Sequence, residues 1–260
     1  MMKQPLNIRI LTATVILLAC LSADTPAVAV TRKYSYKVAE VLPHNITSYT
    51  QGFFFHNGYF YESTGQYGRS LLAKVDPATG RINKSHSLDK RYFGEGACLL
   101  NGCIYQLTWE ENTCFIYDPE TFQVLGTRSY RREGWGLTTN GSELIMSDGS
   151  AKLYFMDPNT LTDIRSITVR MDGKEVNYLN ELEYIEGEIW ANIYTSDLIV
   201  RIDPANGNVT GVINLKGILP GSLRIPSTDV LNGIAYDPIT KRIWVTGKYW
   251  PKIYRIEIKN

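Results

Sequence analysis

Residues 97–108 read Ala97-Cys98-Leu99-Leu100-Asn101-Gly102-Cys103-Ile104-Tyr105-Gln106-Leu107-Thr108, two apolar-rich runs separated by Asn-Gly. Both central residues of a two-residue hairpin turn need positive φ, which Asn and Gly accept at least cost, so the stretch specifies a β-hairpin. In that register Leu100 faces Cys103 and Cys98 faces Tyr105, which keeps the two thiols apart. Hairpins of the same kind recur around Asn57-Gly58, Asn140-Gly141, Glu186-Gly187 and, less regularly, Asp237-Pro238. A third strand follows each of the first four and stops at Asp-Pro, because proline cannot donate to a sheet and presets a turn. These marks stand at Asp76, Asp118, Asp157 and Asp203, spaced 42, 39 and 46 residues apart. Fourth strands are expected at 81–88, 123–130, 162–169 and 209–215.

Four strands per forty-odd residues is the blade of a β-propeller. The fifth unit has only three strands, at 233–236, 242–246 and 252–258. Residues 34–42 have the pattern of a fourth strand and lead into the first unit, so the expected fold is all-β, a five-bladed β-propeller closed by the N-terminal strand. Closure removes sheet edges that would otherwise invite aggregation. No composition shift divides the remainder, and residues 30–260 are expected to form one catalytic domain.

The first thirty residues differ. Lys3 and Arg9 precede an apolar run over 10–21 and an Ala27-Val28-Ala29 motif, the pattern of an export signal at 1–29 with cleavage after Ala29. The run is short for a membrane span. Leu17-Leu18-Ala19-Cys20 also resembles a lipoprotein box, so a periplasmic or secreted protein is expected, with lipid anchoring through Cys20 as the alternative. Cys98, Cys103 and Cys114 are read chiefly as small buried hydrophobes, though an oxidising compartment permits one bridge. Four N-x-S/T sequons, at Asn45, Asn83, Asn140 and Asn208, matter only in a eukaryotic secretory pathway. The 27 basic and 26 acidic residues nearly cancel, with no basic stripe of the kind nucleic acid or an anionic membrane needs. The expected partner is a small or peptide-sized molecule, and the default assembly is a monomer.

In a ring of antiparallel blades, the starts of the innermost strands and the ends of the second strands share one mouth. The first set holds Tyr49-Thr50-Gln51-Gly52, Phe93-Gly94-Glu95-Gly96, Glu133-Gly134-Trp135-Gly136, Asn180-Glu181-Leu182-Glu183 and Leu231-Asn232-Gly233. The second holds Phe60, Glu62 and Thr64, then Thr108 and Trp109, Ser147 and Asp148, Asn192 and Tyr194, and Thr246, Gly247 and Lys248. Apolar walls with a few convergent polar groups describe a small-ligand pocket. Aromatics on propeller strands more often pack between blades, the role expected of Trp190 and Trp244, whereas Trp109 and Trp135 stand at strand ends among glycines. Three histidines, His44, His56 and His86, with no pair at ligand spacing, argue against a His-rich metal site. No G-x-S-x-G elbow or phosphate-binding glycine loop is present.

The segments Thr50-Gln51-Gly52, Tyr61-Glu62-Ser63-Thr64-Gly65-Gln66-Tyr67-Gly68, Phe93-Gly94-Glu95-Gly96, Leu107-Thr108-Trp109, Gly134-Trp135-Gly136-Leu137, Asn180-Glu181-Leu182-Glu183-Tyr184, Leu231-Asn232-Gly233-Ile234-Ala235 and Val245-Thr246-Gly247-Lys248, in order along the mature chain, resemble the plant and bacterial glutaminyl cyclases, or glutamine cyclotransferases. The resemblance implies a five-bladed propeller and a transferase that converts N-terminal glutamine of peptides or proteins to pyroglutamate, releasing ammonia. It implies Glu62 as the acid/base carboxylate, and a site lined by Tyr49, Gln51, Phe60, Trp109, Trp135, Asn180, Glu181, Tyr194 and Lys248. Tyr49 and Tyr194 replace the commoner Phe and Trp and keep the aromatic cage. No cofactor and no catalytic metal are implied; a structural Ca2+ in the channel is compatible with the reading. Burial against Phe60 and the tryptophans is expected to raise the Glu62 pKa. The indole N–H of Trp109 or Trp135, with Gln51 or Lys248, is the expected oxyanion donor. Two alternatives stand beside this one: a divalent-metal-dependent propeller lactonase or esterase recruiting Glu62, Glu95, Asn180, Glu181 and Asn232, and a non-catalytic propeller whose aromatic mouth captures a peptide terminus.

Overall fold

The structure, a computed structural model, describes residues 1, 2 and 31–259. The expected export signal, with Cys20 and the cleavage point after Ala29, lies outside them but for its first two residues. The described chain is all-β apart from one 3-10 turn at Gly221–Leu223. No helix among the described residues is long and apolar enough to cross a membrane.

Three antiparallel sheets of four strands follow one another. Sheet 1 comprises Thr50–His56, Tyr59–Thr64, Leu71–Val75 and Ile82–Ser87; sheet 2 comprises Gly94–Leu100, Cys103–Thr108, Thr113–Tyr117 and Val124–Ser129. Sheet 3 comprises Leu137–Thr139, Leu144–Ser147, Lys152–Met156 and Asp163–Thr168. Eight of the remaining ten strands join into one sheet. Half of it is Leu179–Ile185, Glu188–Ile193, Leu198–Ile202 and Val209–Asn214; the other half is Leu231–Asp237, Arg242–Gly247, Lys252–Lys259 and Arg32–Pro43. The halves meet where Arg32–Tyr34 runs parallel to Gly211–Ile213, after which the N-terminal strand pairs antiparallel with the C-terminal strand, Ser35 opposite Lys259 through Pro43 opposite Lys252. The expected pairing of the two chain ends is therefore present; the parallel seam was not anticipated. A short hairpin of Arg170–Met171 and Lys174–Glu175 is a further addition to the repeat.

The turns behave as their residues require. Asn57, Asn101 and Glu186 take φ of 48°, 51° and 49°, each followed by a glycine of positive φ. The Asn140-Gly141 turn is longer than two residues, with Asn140 Oδ1 accepting from the N–H groups of Ser142 and Glu143. After each Asp-Pro the aspartate closes the loop, as where Asp76 Oδ1 accepts from the Thr79 N–H and hydroxyl. Cys98 lies opposite Tyr105 and Leu100 opposite Cys103, and Cys98, Cys103 and Cys114 are each free. Burial pushes the Cys98 and Cys114 thiols up, so they are inert apolar filler.

The apolar faces form five clusters, one between each successive pair of four-strand units, rather than one central core. Each innermost strand packs against the next, and the last, Leu231–Asp237, returns to the first, Thr50–His56. Glycines permit that approach: a Cβ on Gly52 would strike the Ala97 backbone, one on Gly96 the Leu137 backbone, and one on Gly136 the Asn180 carbonyl. Trp190 and Trp244 are buried between sheets; Trp244 stacks on Phe55 with ring centroids 4.8 Å apart.

Candidate active site

Four innermost strands carry a bulge at one place, which sets Thr50-Gln51-Gly52, Gly94-Glu95-Gly96, Leu179-Asn180-Glu181 and Leu231-Asn232-Gly233 in register; Gly134-Trp135-Gly136 takes the same place ahead of the third, its Gly134 facing the Thr108 carbonyl as Gly94 faces that of Thr64. The middle residues Gln51, Glu95, Trp135, Asn180 and Asn232 are thus equivalent, one from each unit. Four of them line a cavity of about 330 Å³ at the mouth. The walls come from residues just beyond the ends of second strands, Trp109, Tyr194 and Lys248, together with Gln66, and from Tyr49 and Phe93 ahead of the first strands.

At the cavity's base Glu95 is only 4% exposed and accepts from Gln51 Nε2 at 2.8 Å. The Gln51 carbonyl oxygen in turn faces Asn232 Nδ2 at 3.3 Å, which fixes the amide orientation. Burial pushes the Glu95 carboxyl well above its usual range, against the opposing pull of the Lys248 ammonium. Lys248 is 2% exposed and burial lowers it, with Glu95 and Asp229 pulling the other way. Its Nζ lies 4.4 Å from the Tyr49 ring centroid and 5.2 Å from that of Tyr194, the geometry of a cation held by aromatic faces. No carboxylate among the described residues is within ion-pair distance of it. Asn180 Oδ1 is buried without a partner among the described residues.

The aromatic rim is braced edge to face. Trp109 meets Phe93 at 5.7 Å and Trp135 meets Tyr194 at 5.6 Å between centroids. Both indole N–H groups donate to one oxygen, Oε2 of Glu133, at 2.8 and 3.1 Å. Both expected indole donors are therefore engaged with Glu133 at the rim.

Of the residues named from sequence, Tyr49, Gln51, Trp109, Trp135, Asn180, Tyr194 and Lys248 come together around the cavity. Glu62, Phe60 and Glu181 do not line it. Phe60 and Glu62, two apart on one strand, share the face that packs towards the C-terminal strands, where Phe60 meets Trp244 at 5.3 Å. Glu62 lies behind the cavity wall and is 2% exposed, bonded to His44, Ser48 and Thr50. Its expected upward shift is also reversed. Burial raises it, but the neighbouring His44 charge and the hydrogen bonds from His44, Thr50 and Ser48 outweigh that and leave the carboxyl below its usual range. Glu181 stands at the position that is glycine in the other units, so its side chain enters the axis and accepts from the Phe53 and Ile234 N–H groups at 3.1 and 2.8 Å. The cavity residues missing from the expected cyclase site are Gln66, Phe93 and Glu95, although Phe93 and Glu95 belong to the expected mouth and Glu95 to the metal-ligand set of the lactonase alternative. Their signal was present in the repeat register, where Glu95 is the single carboxylate among the five equivalent middle positions.

Residues 11–258 match the family model described as glutamine cyclotransferase. The chain is 44% identical over 228 residues to a glutaminyl-peptide cyclotransferase of Arabidopsis thaliana, covering 86% of this chain and 71% of that protein. It is similar to the crystal structure of Myxococcus xanthus glutaminyl cyclase, with a TM-score of 0.82 and 34% identity over 88% of this chain and 98% of the other. With the match running nearly end to end and through every segment that builds the cavity, the chain belongs to the glutamine cyclotransferase family.

Proposed function

We propose that the protein is a glutaminyl-peptide cyclotransferase, converting N-terminal glutamine of peptides or proteins to pyroglutamate with release of ammonia, on a five-bladed β-propeller in which each four-strand unit is one blade. The cyclic packing of five innermost strands and the five inter-sheet clusters support the blade reading. The observation that carries the function is Glu95, a buried carboxylate under an aromatic cage with Gln51 and Lys248 beside it.

In the reaction the substrate's α-amine attacks its own γ-carboxamide carbon, a C–N bond forms, and the bond to the amide nitrogen breaks. Holding the side chain curled between Trp109, Trp135 and Phe93 supplies the orientation, which contributes roughly 7 to 11 kcal/mol in favourable cases. Glu95 takes the proton from the attacking amine and delivers it to the departing nitrogen, so that ammonia leaves rather than amide anion. A carboxyl held above its ordinary range suits both roles. The Lys248 ammonium, with Gln51, faces the oxygen of the tetrahedral intermediate. The unpartnered Asn180 Oδ1 is placed to accept from the substrate's N–H groups.

Ammonia release from a Gln-initiated peptide tests the reading, with an otherwise identical Glu-initiated peptide as control. Turnover of the first is expected. Binding of the Gln peptide with no ammonia produced would identify a capture protein instead.

A further inference from the structure

Two chain segments deliver Tyr49 and Lys248 to the cavity, residues 44–50 and 246–250, and one buried pair touches both. Nδ1 of His44 lies 2.7 Å from the Trp250 carbonyl oxygen and 3.2 Å from Thr246 Oγ1. That hydroxyl donates to the Lys252 carbonyl at 3.0 Å, so it offers His44 only a lone pair. Both neighbours of Nδ1 are acceptors and Nδ1 carries a proton. Nε2 lies 3.0 Å from Glu62 Oε1, and opposite an ionised carboxylate the ring is a doubly donating imidazolium. Glu62 Oε1 also accepts from Thr50 Oγ1 at 2.6 Å, and Oε2 accepts from Ser48 Oγ at 3.0 Å. Ser48 and Thr50 flank Tyr49 in sequence; Thr246 and Trp250 flank Lys248. The backbones are stitched alongside, His44 N–H to the Pro251 carbonyl at 3.0 Å and Tyr249 N–H to the Ser48 carbonyl at 2.7 Å.

We propose that His44 and Glu62 are positioning residues: a buried ion pair behind the cavity wall that sets the spacing of Tyr49 and Lys248, and so holds the Lys248 ammonium against the Tyr49 ring beside Glu95. The proposal rests on the cyclotransferase reading for its kinetic consequence but not for its geometry. A carboxylate is needed here because three donors of the 44–50 segment converge on it, and a cation is needed opposite, where His44 carries the link on to Thr246 and Trp250, because an unpaired carboxylate in this place would be uncompensated. The direction of both shifts agrees with a charged pair: burial lowers His44, but Glu62 and the Trp250 carbonyl raise it to a net upward shift, while Glu62 ends low.

The test compares Glu62→Gln, which keeps the shape but removes the charge, in the wild-type and Lys248→Met backgrounds, with folding checked by circular dichroism. A displacement of about 1 Å in a reacting group costs roughly 100-fold, so Glu62→Gln is expected to lower kcat/KM by about 10 to 100-fold. In the Lys248→Met background it should add little, because the two act through one group. Wild-type kcat/KM in Glu62→Gln, or the same fold-loss with and without Lys248, overturns the proposal. If Glu62→Gln does not fold, Ser48→Ala, which removes one of the three bonds, replaces it under the same criterion with a smaller loss. A second readout stands without turnover: the pH dependence of Lys248 acylation by a small amine reagent, followed by peptide mass mapping. A shifted Lys248 titration in Glu62→Gln is expected and an unshifted one sinks the pair's role, whereas a wild-type protein releasing no ammonia sinks the cyclotransferase reading alone.

Discussion

Glu62 and Glu95 are equally hidden from water, yet their carboxyls are driven in opposite directions, because one meets an imidazolium and two hydroxyls and the other meets a single amide and a more distant ammonium. Glu95→Gln should fold and lower kcat by roughly 100 to 10,000-fold, the usual worth of a general acid/base; steady-state ammonia release measures it. In the proposed mechanism the working form of Glu95 is the carboxylate, so in the wild type kcat/KM is expected to fall as pH drops through a value above the ordinary 4.5. Removing the cation that opposes this shift moves the value further up, so the acid limb of Lys248→Met should lie at higher pH than that of the wild type. An acid limb at or below the ordinary value would show that another group controls the rate. Glu133 acts differently, as the common acceptor of two indoles at an exposed rim. Exposed contacts are individually weak, and Glu133→Ala is expected to raise KM by no more than about 10-fold with kcat nearly kept.

At the level of elements, strand positions were legible because alternation, Asn-Gly and Asp-Pro are local signals; the fourth strand expected at 209–215 is observed as Val209–Asn214. What local signals do not carry is which face a residue takes after a bulge. Each aligned inner strand with a resolved register shift carries one near its start, such as that between Gly94 and Ala97, and this turns Glu95 to the cavity while Gly96 meets the neighbouring backbone. The family resemblance puts the acid/base role on Glu62, whereas Phe60, two residues away on the same strand face, packs on Trp244 away from the cavity and takes Glu62 with it. The glycine positions make a sharp prediction. On Gly96 a Cβ would lie 2.6 Å from the Gly136 carbonyl carbon and 2.7 Å from the Trp135 oxygen, all backbone, so Gly96→Ala should cost about 3 kcal/mol or more in chemical denaturation. On Gly126 the nearest atom is the mobile end of Arg128 at 3.7 Å, and Gly126→Ala should be neutral or stabilise by about 0.4 to 1 kcal/mol. Glu183 links two inner strands through the Tyr236 N–H at 2.9 Å and is pushed up to about 8 by burial. A raised carboxyl contributes stability that is complete below the unfolded value near 4.5 and is lost as pH rises towards 8. Glu183→Gln should therefore raise the Tm more at pH 9 than at pH 5, where an equal gain at both would disprove the linkage.

For the whole molecule, stability is distributed over interfaces between neighbouring sheets, so the ring is as strong as its closure. Closure could be read from the fifth unit, which lacks an outer strand that the N-terminal segment supplies. The parallel seam of Arg32–Tyr34 with Gly211–Ile213 could not, since it depends on Gly211 leaving room for the Tyr34 ring, a meeting of two segments 177 residues apart in sequence, 34 to 211. The outer strands of sheets 1, 2 and 3 carry Lys84, Arg128 and Arg165, charges that discourage pairing with another chain. The strand beneath the closing segment is different: Ile253, Tyr254 and Ile256 are buried, and stripping away Arg32–Pro43 would present an unpaired, apolar edge. A chain beginning at His44 should therefore shift towards aggregate in size-exclusion chromatography, relative to one that keeps Arg32–Pro43, and melt at least about 10 °C lower, given that 1 kcal/mol shifts Tm by about 2 to 4 °C in a domain of this size and that the pairing spans most of a twelve-residue strand. Restoring the segment as a separate peptide should recover the melting temperature, because its contribution is non-covalent. A truncated chain with an unchanged elution volume and an unchanged melt would mean that the sheets hold one another without the clasp, and that the two chain ends are joined for a reason other than stability.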